Sequence, residues 1–443
     1  MIRSPQILFE MARVRLEEDN PNLNQLTDAD LEDVAELAVK IDFELWGIEG
    51  TKEEVRDLLL HDLKISYNTQ LGATVTISDK NFQEWLPERK VSMEDNDEDW
   101  SWWDRYFKYL RETKPELGKL VRQKLDESTD EILGHCGDPI SEEPWDRRGL
   151  VFGMVQAGKT SNYIGLINKA IDVGYSLIVV LTGLTNDLRA QGQQRVDQGV
   201  TGWTLMIDED HREENYDRVG VNRRGDTDNL KSQALTNMRN DIRRGSTQVR
   251  LPRPGDRQPV IIVMKKNKSV MTNLIKYIED LWGRDVEGGE KLVTDCPLLL
   301  IDDEADHGSV DTKKDATFER SEGLEPNPDH DPTAINHAIR RILKLFEKSS
   351  YVAYTATPEA TLQIPSGNTT DKLGDDLFPR DFIVDLPTPS NHFGPEKIFG
   401  EENREKHLPL WDEIPEEELS WVPPRHKKEH VPTWNEERQI PDS

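Results

Sequence analysis

Four short apolar runs punctuate the middle of the chain: Tyr175–Thr182, Pro259–Met264, Pro297–Ile301 and Ser350–Thr355. None alternates with polar residues. A strand that is apolar at nearly every position has both faces buried, as in a parallel sheet covered by helices on both sides. Stretches with helical spacing separate the runs: Thr185–Gln198, Lys268–Trp282 and Thr333–Lys348. One more short run, Gly149–Phe152, leads by a glycine-bounded loop into the helical pattern Ser161–Ala170. From 147 to about 365 the rhythm predicts a doubly wound α/β domain, with ligands expected at the carboxyl ends of its strands.

The flanks read differently. Residues 1–146 predict a mostly helical N-terminal domain: Asp28–Val39, Glu53–Leu63 and Trp102–Leu125 carry helical periodicity, Leu71–Ile77 is β-like, and Met93–Trp100 reads as an acidic loop. Trp100, Trp102 and Trp103 are expected to pack helices rather than to cage a ligand. Asp138–Pro144 reads as a linker. A polar segment of about 206–258 interrupts the α/β rhythm with many arginines and several acids; it fits a solvated surface or a nucleic-acid contact. After Pro358 the rhythm fades, and 366–443 reads as an extension, with one further strand candidate at Leu377–Leu386 and, from Leu408, a tail rich in proline and charge that is expected to pack poorly or to be disordered.

Charge and cysteine content narrow the setting. The 443 residues include 56 Lys and Arg against 85 Asp and Glu, a net charge of −29. Nucleic acid cannot be held by that average field, so any such binding needs a local basic surface. Cys136 and Cys296 stand far apart and offer no disulfide framework or zinc spacing. The N-terminus lacks the apolar core of a signal peptide, and no run approaches the roughly 20 apolar residues of a membrane span. A cytoplasmic protein without membrane partners is the expectation.

Candidate chemistry enters with Gly153–Thr160, a complete G-x-x-x-x-G-K-S/T phosphate-binding loop between a predicted strand and a predicted helix. Gly153 and Gly158 shape the loop, and backbone groups of Gln156, Ala157 and Ser161 lie where a polyphosphate would be cradled. Lys159 neutralises the outer phosphates, and the Thr160 hydroxyl suits Mg²⁺. ATP and Mg²⁺ are therefore the expected ligands. A second motif, Leu298–His307, is an apolar run ending in clustered carboxylates. Asp303 is placed on the metal side, with Asp302 as the alternative register, and Glu304 is the catalytic base that activates water. The plainer reading is a strand ending in a solvated acidic turn.

A third motif, Tyr354–Pro358, places Thr355 and Thr357 where a helicase-type ATPase couples its nucleotide site to nucleic acid. A fourth, after the second strand, offers Asn186, Arg189, Gln191 and Arg195 as backbone-contacting donors; an ordinary amphipathic surface helix explains the same residues. These pieces in this order resemble a superfamily-two helicase-type ATPase lobe, that is, a P-loop RecA-like fold. With Arg148–Thr160, Asp187–Gln191, Ile301–Asp306, Pro332–Asn336, Tyr354–Pro358 and Leu377–Ile383, the chain more narrowly resembles the prokaryotic Z-one domain family, over about 134–400. That resemblance implies DNA as the nucleic acid, a restriction-type or other anti-phage defence setting with partners from the same operon, and an endonuclease label.

Two features depart from the resemblance. Ala157 stands where serine is expected in the loop. No Gln-x-x-Gly-Arg-x-x-Arg stretch is found that would mark a second lobe with its arginine finger. The residues give the nuclease label no independent support: Asp285 to Lys291 has suitable residue types at the wrong spacing, and the histidines are scattered. Three functions stand open on sequence: an ATPase acting on nucleic acid, an ATP-dependent endonuclease, and an ATP-binding switch that does not hydrolyse.

Overall fold

The computed structural model describes residues 6–19, 28–45, 50–67, 75–79, 82–114, 117, 119–153, 158–207, 214–242, 258–286, 289–310, 333–364, 369–370 and 373–386. Helices α1 (Gln6–Asp19), α2 (Asp28–Leu45) and α3 (Lys52–Tyr67) come first. In α2, Leu31, Val34, Ala35, Ala38 and Val39 fall at i, i+3, i+4, i+7 and i+8, and all are buried. Such spacing puts one apolar stripe on one face. The stripe packs with Leu8, Ala12 and Leu16 of α1 and Val55, Leu59 and Leu63 of α3 in a core of their own. Thr51 and Glu54 start α3 with a reciprocal capping box: the Glu54 N–H donates to the Thr51 hydroxyl at 3.2 Å, and the Thr51 N–H donates to the Glu54 carboxylate at 3.1 Å.

Next come β1 (Val75–Ser78), α4 (Leu86–Asp95), α5 (Ser101–Thr113), α6 (Lys119–His135), β2 (Trp145–Phe152), α7 (Lys159–Val173), β3 (Leu177–Thr182) and α8 (Asn186–Val196), which a π-helical turn extends to Thr201. The antiparallel pair β4 (Trp203–Ile207) and β5 (Glu214–Arg218) follows, then β6 (Gln233–Ala234), β7 (Val260–Lys265) and α9 (Lys268–Leu281). The small pair β8 (Arg284–Asp285) and β9 (Lys291–Leu292) precedes β10 (Leu298–Asp303), α10 (Ala334–Lys344) and β11 (Lys348–Thr355). A short α11 (Glu359–Leu362), the pair β12 (Thr369–Thr370) and β13 (Gly374–Asp375), and β14 (Phe382–Asp385) complete the described chain.

One sheet of eight strands, in the order β1-β14-β2-β11-β10-β3-β7-β6, organises residues 75–386. Every pairing in it is parallel except β1 with β14. The fold is therefore α/β with a large, mostly parallel central sheet. Alternation along each strand sends side chains to two cores. Ile178, Val180, Leu299, Ile301, Val352 and Tyr354 join α5, α6 and α7 on one face. Leu177, Val179, Leu181, Leu298, Leu300, Tyr351 and Ala353 join α9 and α10 on the other. Each fully buried Val, Leu or Ile side chain contributes about 1.5–3 kcal/mol, so the apolar runs read from sequence are what hold this layering.

Three expectations need correction. The periodic stretch Trp102–Leu125 is not one helix: α5 ends at Thr113 and α6 starts at Lys119. The sequence puts Pro115 between them, and proline lacks the N–H that a continuing helix needs. The acidic stretch Met93–Trp100 is helical as far as Asp95. Most importantly, the boundary expected at 146 runs through a shared core. Leu86, Met93, Trp102, Trp103, Tyr106 and Leu110 pack against the strands and α7. Buried Lys169 of α7 pairs with Asp126 at 2.5 Å and Asp130 at 2.8 Å on α6 and lies 4.2 Å from the Trp103 ring centroid. Asp172 of α7 accepts the Trp102 and Trp103 N–H groups at 3.0 and 2.9 Å, capping α5. Trp102 and Trp103 are packing residues, as expected; the helices that carry them belong to the α/β layer. The expected tail beyond 386 lies outside the described residues, as does much of the polar segment (208–213 and 243–257).

Candidate functional site

The sheet's central strands end along one line. β2 leads to Gly153, β11 ends at Thr355, β10 ends at Asp303, and β3 leads to Gly183. Gln156 and Ala157 lie outside the described residues; the chain is described again from Gly158, the N-cap of α7, with φ +84°. A Cβ there would meet nothing within 4 Å. The left-handed backbone, not crowding, is what favours glycine at this position. Lys159 is the first residue of α7, and its Nζ donates to the Gly153 carbonyl at 2.7 Å. Burial lowers the Lys159 pKa, and the nearby charges of Asp303 and Asp306 oppose that shift. The lysine and the carboxylate cluster therefore share one neighbourhood, although β11 stands between their strands. Ser161 serves as a support: its carbonyl accepts from the Tyr106 hydroxyl of α5 at 3.2 Å.

Strand parity separates the two aspartates. Asp302 shares the face of Leu298 and Leu300, and Asp303 shares the face of Leu299 and Ile301, toward α7. Asp302 is completely buried and committed: it pairs with buried Lys266 at 2.8 Å and accepts from the Tyr351 hydroxyl at 2.7 Å. Asp303 has no such commitment. Burial raises its pKa to about 6, with Glu304 adding to the shift and Arg195 and Lys266 opposing it. Of the two registers, the structure turns Asp303 toward the head of α7 and Asp302 away from it.

The turn after β10 is tightly determined. Glu304 has φ +57°, a left-handed conformation that costs an L-residue roughly 1–2 kcal/mol. Its carbonyl accepts from Lys266 Nζ at 2.5 Å and from the His307 N–H at 2.9 Å, while the Ala305 N–H donates to the Tyr354 carbonyl at 3.0 Å. The half-exposed Glu304 carboxylate projects toward the loop after β3: a Cβ on Gly183 would lie 3.2 Å from it and only 2.3 Å from Leu188. His307 Nδ1 is 3.6 Å from the same carboxylate.

Asp306 joins this turn to β11. The Thr355 hydroxyl donates to one carboxylate oxygen at 2.7 Å and the Thr357 hydroxyl to the other at 2.6 Å; the Thr357 N–H also donates to Thr355 Oγ1 at 3.0 Å. Burial pushes the Asp306 pKa up, but the hydrogen bonds from Thr357 and Thr355 outweigh it, and the net shift is downward. Thr355 and Thr357 are thus brought to the carboxylate turn, through an aspartate that the sequence reading left without a role. Deeper in, the Tyr354 hydroxyl donates to Asn162 of α7 at 2.8 Å, and Asn162 donates to Ser128 of α6 at 2.9 Å.

The α8 candidates separate. Arg189 is buried, and its guanidinium donates to the carbonyls of Asn237 and Met238 at 2.8 and 2.7 Å. It secures the polar segment and is not available as a surface donor; the helix's exposed stripe misses it by its phase. Asn186 and Gln191 are exposed, and Asn186 accepts from Lys265 Nζ at 2.7 Å beside a cleft of about 610 Å³ that Arg239, Asp241 and Asn273 also line. Arg195 points the other way, to the head of α7: its Nη1 reaches the Thr160 hydroxyl at 3.4 Å, and its charge favours the Asp303 carboxylate. Sequence reasoning placed Arg195 on a nucleic-acid surface because nothing local shows that β3 lies beyond β10 from β2. Lys266 was missed as well. Its one signal is a lysine at the end of an apolar strand, in phase with buried Val260, Ile262 and Met264.

Hard oxygen donors, the Thr160 hydroxyl and the Asp303 carboxylate, stand beside a lysine at a helix start; this set fits a magnesium-bound polyphosphate. Asp285 and Lys291, considered for nuclease chemistry, pair with each other at 2.7 Å on the β8–β9 hairpin. Among the described residues no helix is long and apolar enough to cross a membrane. No family model matches the chain, and no curated protein matches it.

Removing one partner of a buried ion pair costs about 3–5 kcal/mol. Lys266→Met should therefore lower unfolding stability by that amount, read from the urea midpoint; a loss under about 1 kcal/mol would mean that the pair does not anchor the turn. Glu304→Gly should instead raise stability by about 1 kcal/mol by relieving the left-handed backbone. An unchanged or lower midpoint would show that this conformation carries no strain.

Proposed function

We propose that the chain is an ATP-hydrolysing P-loop ATPase of helicase type, built on a RecA-like lobe and acting on nucleic acid. The observation that carries this reading is the convergence of Lys159 and Thr160 at the head of α7 with Asp303 at the end of β10. In it, Gly153, Gly158 and the backbone through Ser161 cradle the phosphates of ATP, and Lys159 exchanges its Gly153 carbonyl for phosphate oxygens. Thr160 and Asp303 would hold Mg²⁺, which would supply positive charge against the phosphoryl group being transferred. Glu304 orients and deprotonates the attacking water from the turn beside Gly183. Arg195 supplies a cation from the same lobe, next to the metal-side residues. The Asp306 clamp on Thr355 and Thr357 links the carboxylate turn to the end of β11, so a change at the nucleotide can reach a surface beyond it.

Asn186, Gln191, Lys265 and Arg239 are the donors this reading offers to a nucleic-acid backbone, with Arg189 removed from that set. The resemblance to the Z-one domain family adds DNA as substrate and an anti-phage or restriction-type defence setting. The endonuclease alternative gains no support from the mutually paired Asp285 and Lys291.

Phosphate release measured with and without single- and double-stranded DNA and RNA tests the reading. The expected result is Mg²⁺-dependent hydrolysis that a nucleic acid stimulates. Lys159→Ala should reduce it about a hundredfold or more, and Glu304→Gln should retain ATP binding while losing turnover by a similar factor. Normal hydrolysis in Lys159→Ala would remove the assignment of the loop; hydrolysis indifferent to every nucleic acid would remove the helicase-type part.

A further inference from the structure

A second polar cleft lies between α5 and the turn at 220–227 and shares no residue with the carboxylate turn. It measures about 430 Å³, within the range of small-molecule sites. Its floor is Arg105 and its walls are Lys108, Tyr109 and Glu112 of α5 with Arg223, Arg224 and Asp226 of the turn at 220–227. In a chain of net charge −29, a cleft with four cations against two carboxylates is a local reversal of sign.

The cations are not equally satisfied. Lys108 pairs with Asp226 at 2.8 Å, and Arg224 approaches Glu112 at 3.2 Å. Arg223 is exposed, and no carboxylate among the described residues pairs with it. Arg105 is only 4% exposed. Its Nη2 donates to the Val200 carbonyl, and its guanidinium lies 4.5 Å from the Trp102 ring centroid, a favourable cation–π distance. Its Nε and Nη1 are buried with no hydrogen-bond partner. Arginine keeps its charge when buried, and a buried guanidinium with unmet donors is costly unless an acceptor is provided. Burial pulls the Arg105 pKa down only to about 10, so the side chain is a cation at neutral pH.

We propose that this cleft binds a phosphate-bearing anion, with Arg105 as the fixed charge at its floor and Arg223 and Arg224 as the rim that closes on the phosphate oxygens. The planar fork of arginine matches phosphate geometry, and the Arg224–Glu112 pair is exposed enough to exchange partners. Nothing in this site depends on the nucleotide reading above, since it shares no residue with the phosphate loop.

The test uses the full chain carrying Lys159→Ala, so that the phosphate loop contributes little. Isothermal titration with inorganic pyrophosphate reports a free anion as the source of the phosphate, and titration with a short single-stranded oligonucleotide reports a nucleic-acid backbone. The expected result is saturable binding of at least one probe, weakened about tenfold or more when Arg223→Ala and Arg224→Ala are combined. These two exposed positions can change without disturbing the core. Arg105→Gln, if it melts as the parent does, should abolish that binding. Absence of saturable binding by both probes, or binding that the rim substitutions leave unchanged, would overturn the proposal.

Discussion

The ion pair between Lys266 and Asp302 fixes the chain where the apolar sheet gives way to polar chemistry. Both side chains are fully buried, on the sheet face that packs against α9 and α10. Two charges taken out of water are tolerable only together, so β7 and β10 must end in step across the intervening β3. Lys266 also holds the carbonyl of Glu304, the residue that takes the left-handed conformation at the head of the turn. With Asp302 committed to one face, Asp303 necessarily emerges on the other, where α7 begins.

Around that anchor the site is a balance of opposite charges at the edge of solvent. The signs at Lys159 and Asp303 are consistent: the charges of Asp303 and Asp306 favour the charged lysine, and the charges of Arg195 and Lys266 favour the charged Asp303. Asp306 differs from Asp303 by having hydroxyl donors on both oxygens, which favour its charged form. The two aspartates, three residues apart, take different roles from their partners alone.

Much of this was legible in the sequence where the signal was local. The apolar runs became β3, β7, β10 and β11 within a few residues, because double burial leaves a composition that survives any detail of packing. The strand at Gly149–Phe152 and the helix over Ser161–Ala170 were equally plain, and they lie within β2 and α7. Information carried by strand order was not legible. Parity shows that Asp302 and Asp303 face opposite ways but not which face carries α7, and no spacing rule brings Arg195 of α8 to Thr160. Residues 86–135 were misassigned to a separate helical domain for a related reason: amphipathic helices advertise a buried face without naming the partner, and here the partner is α7 and the sheet. The phase of α8 could have identified Arg189 as inward-facing, since it shares a side with Gly192, Gln193 and Val196.

A single pocket in which lysine and aspartate serve one ligand makes a quantitative demand. If Lys159 and Asp303 engage the same magnesium–triphosphate, their substitutions cannot act independently. The direct measurement is a double-mutant cycle on Mg²⁺-ATP affinity, using Lys159→Ala, Asp303→Asn and the combined variant in the full chain. The account predicts that the double variant departs from the sum of the single losses by about 1 kcal/mol or more. Additivity within about 0.5 kcal/mol would mean that the two groups do not share a ligand, and would contradict the account at its centre.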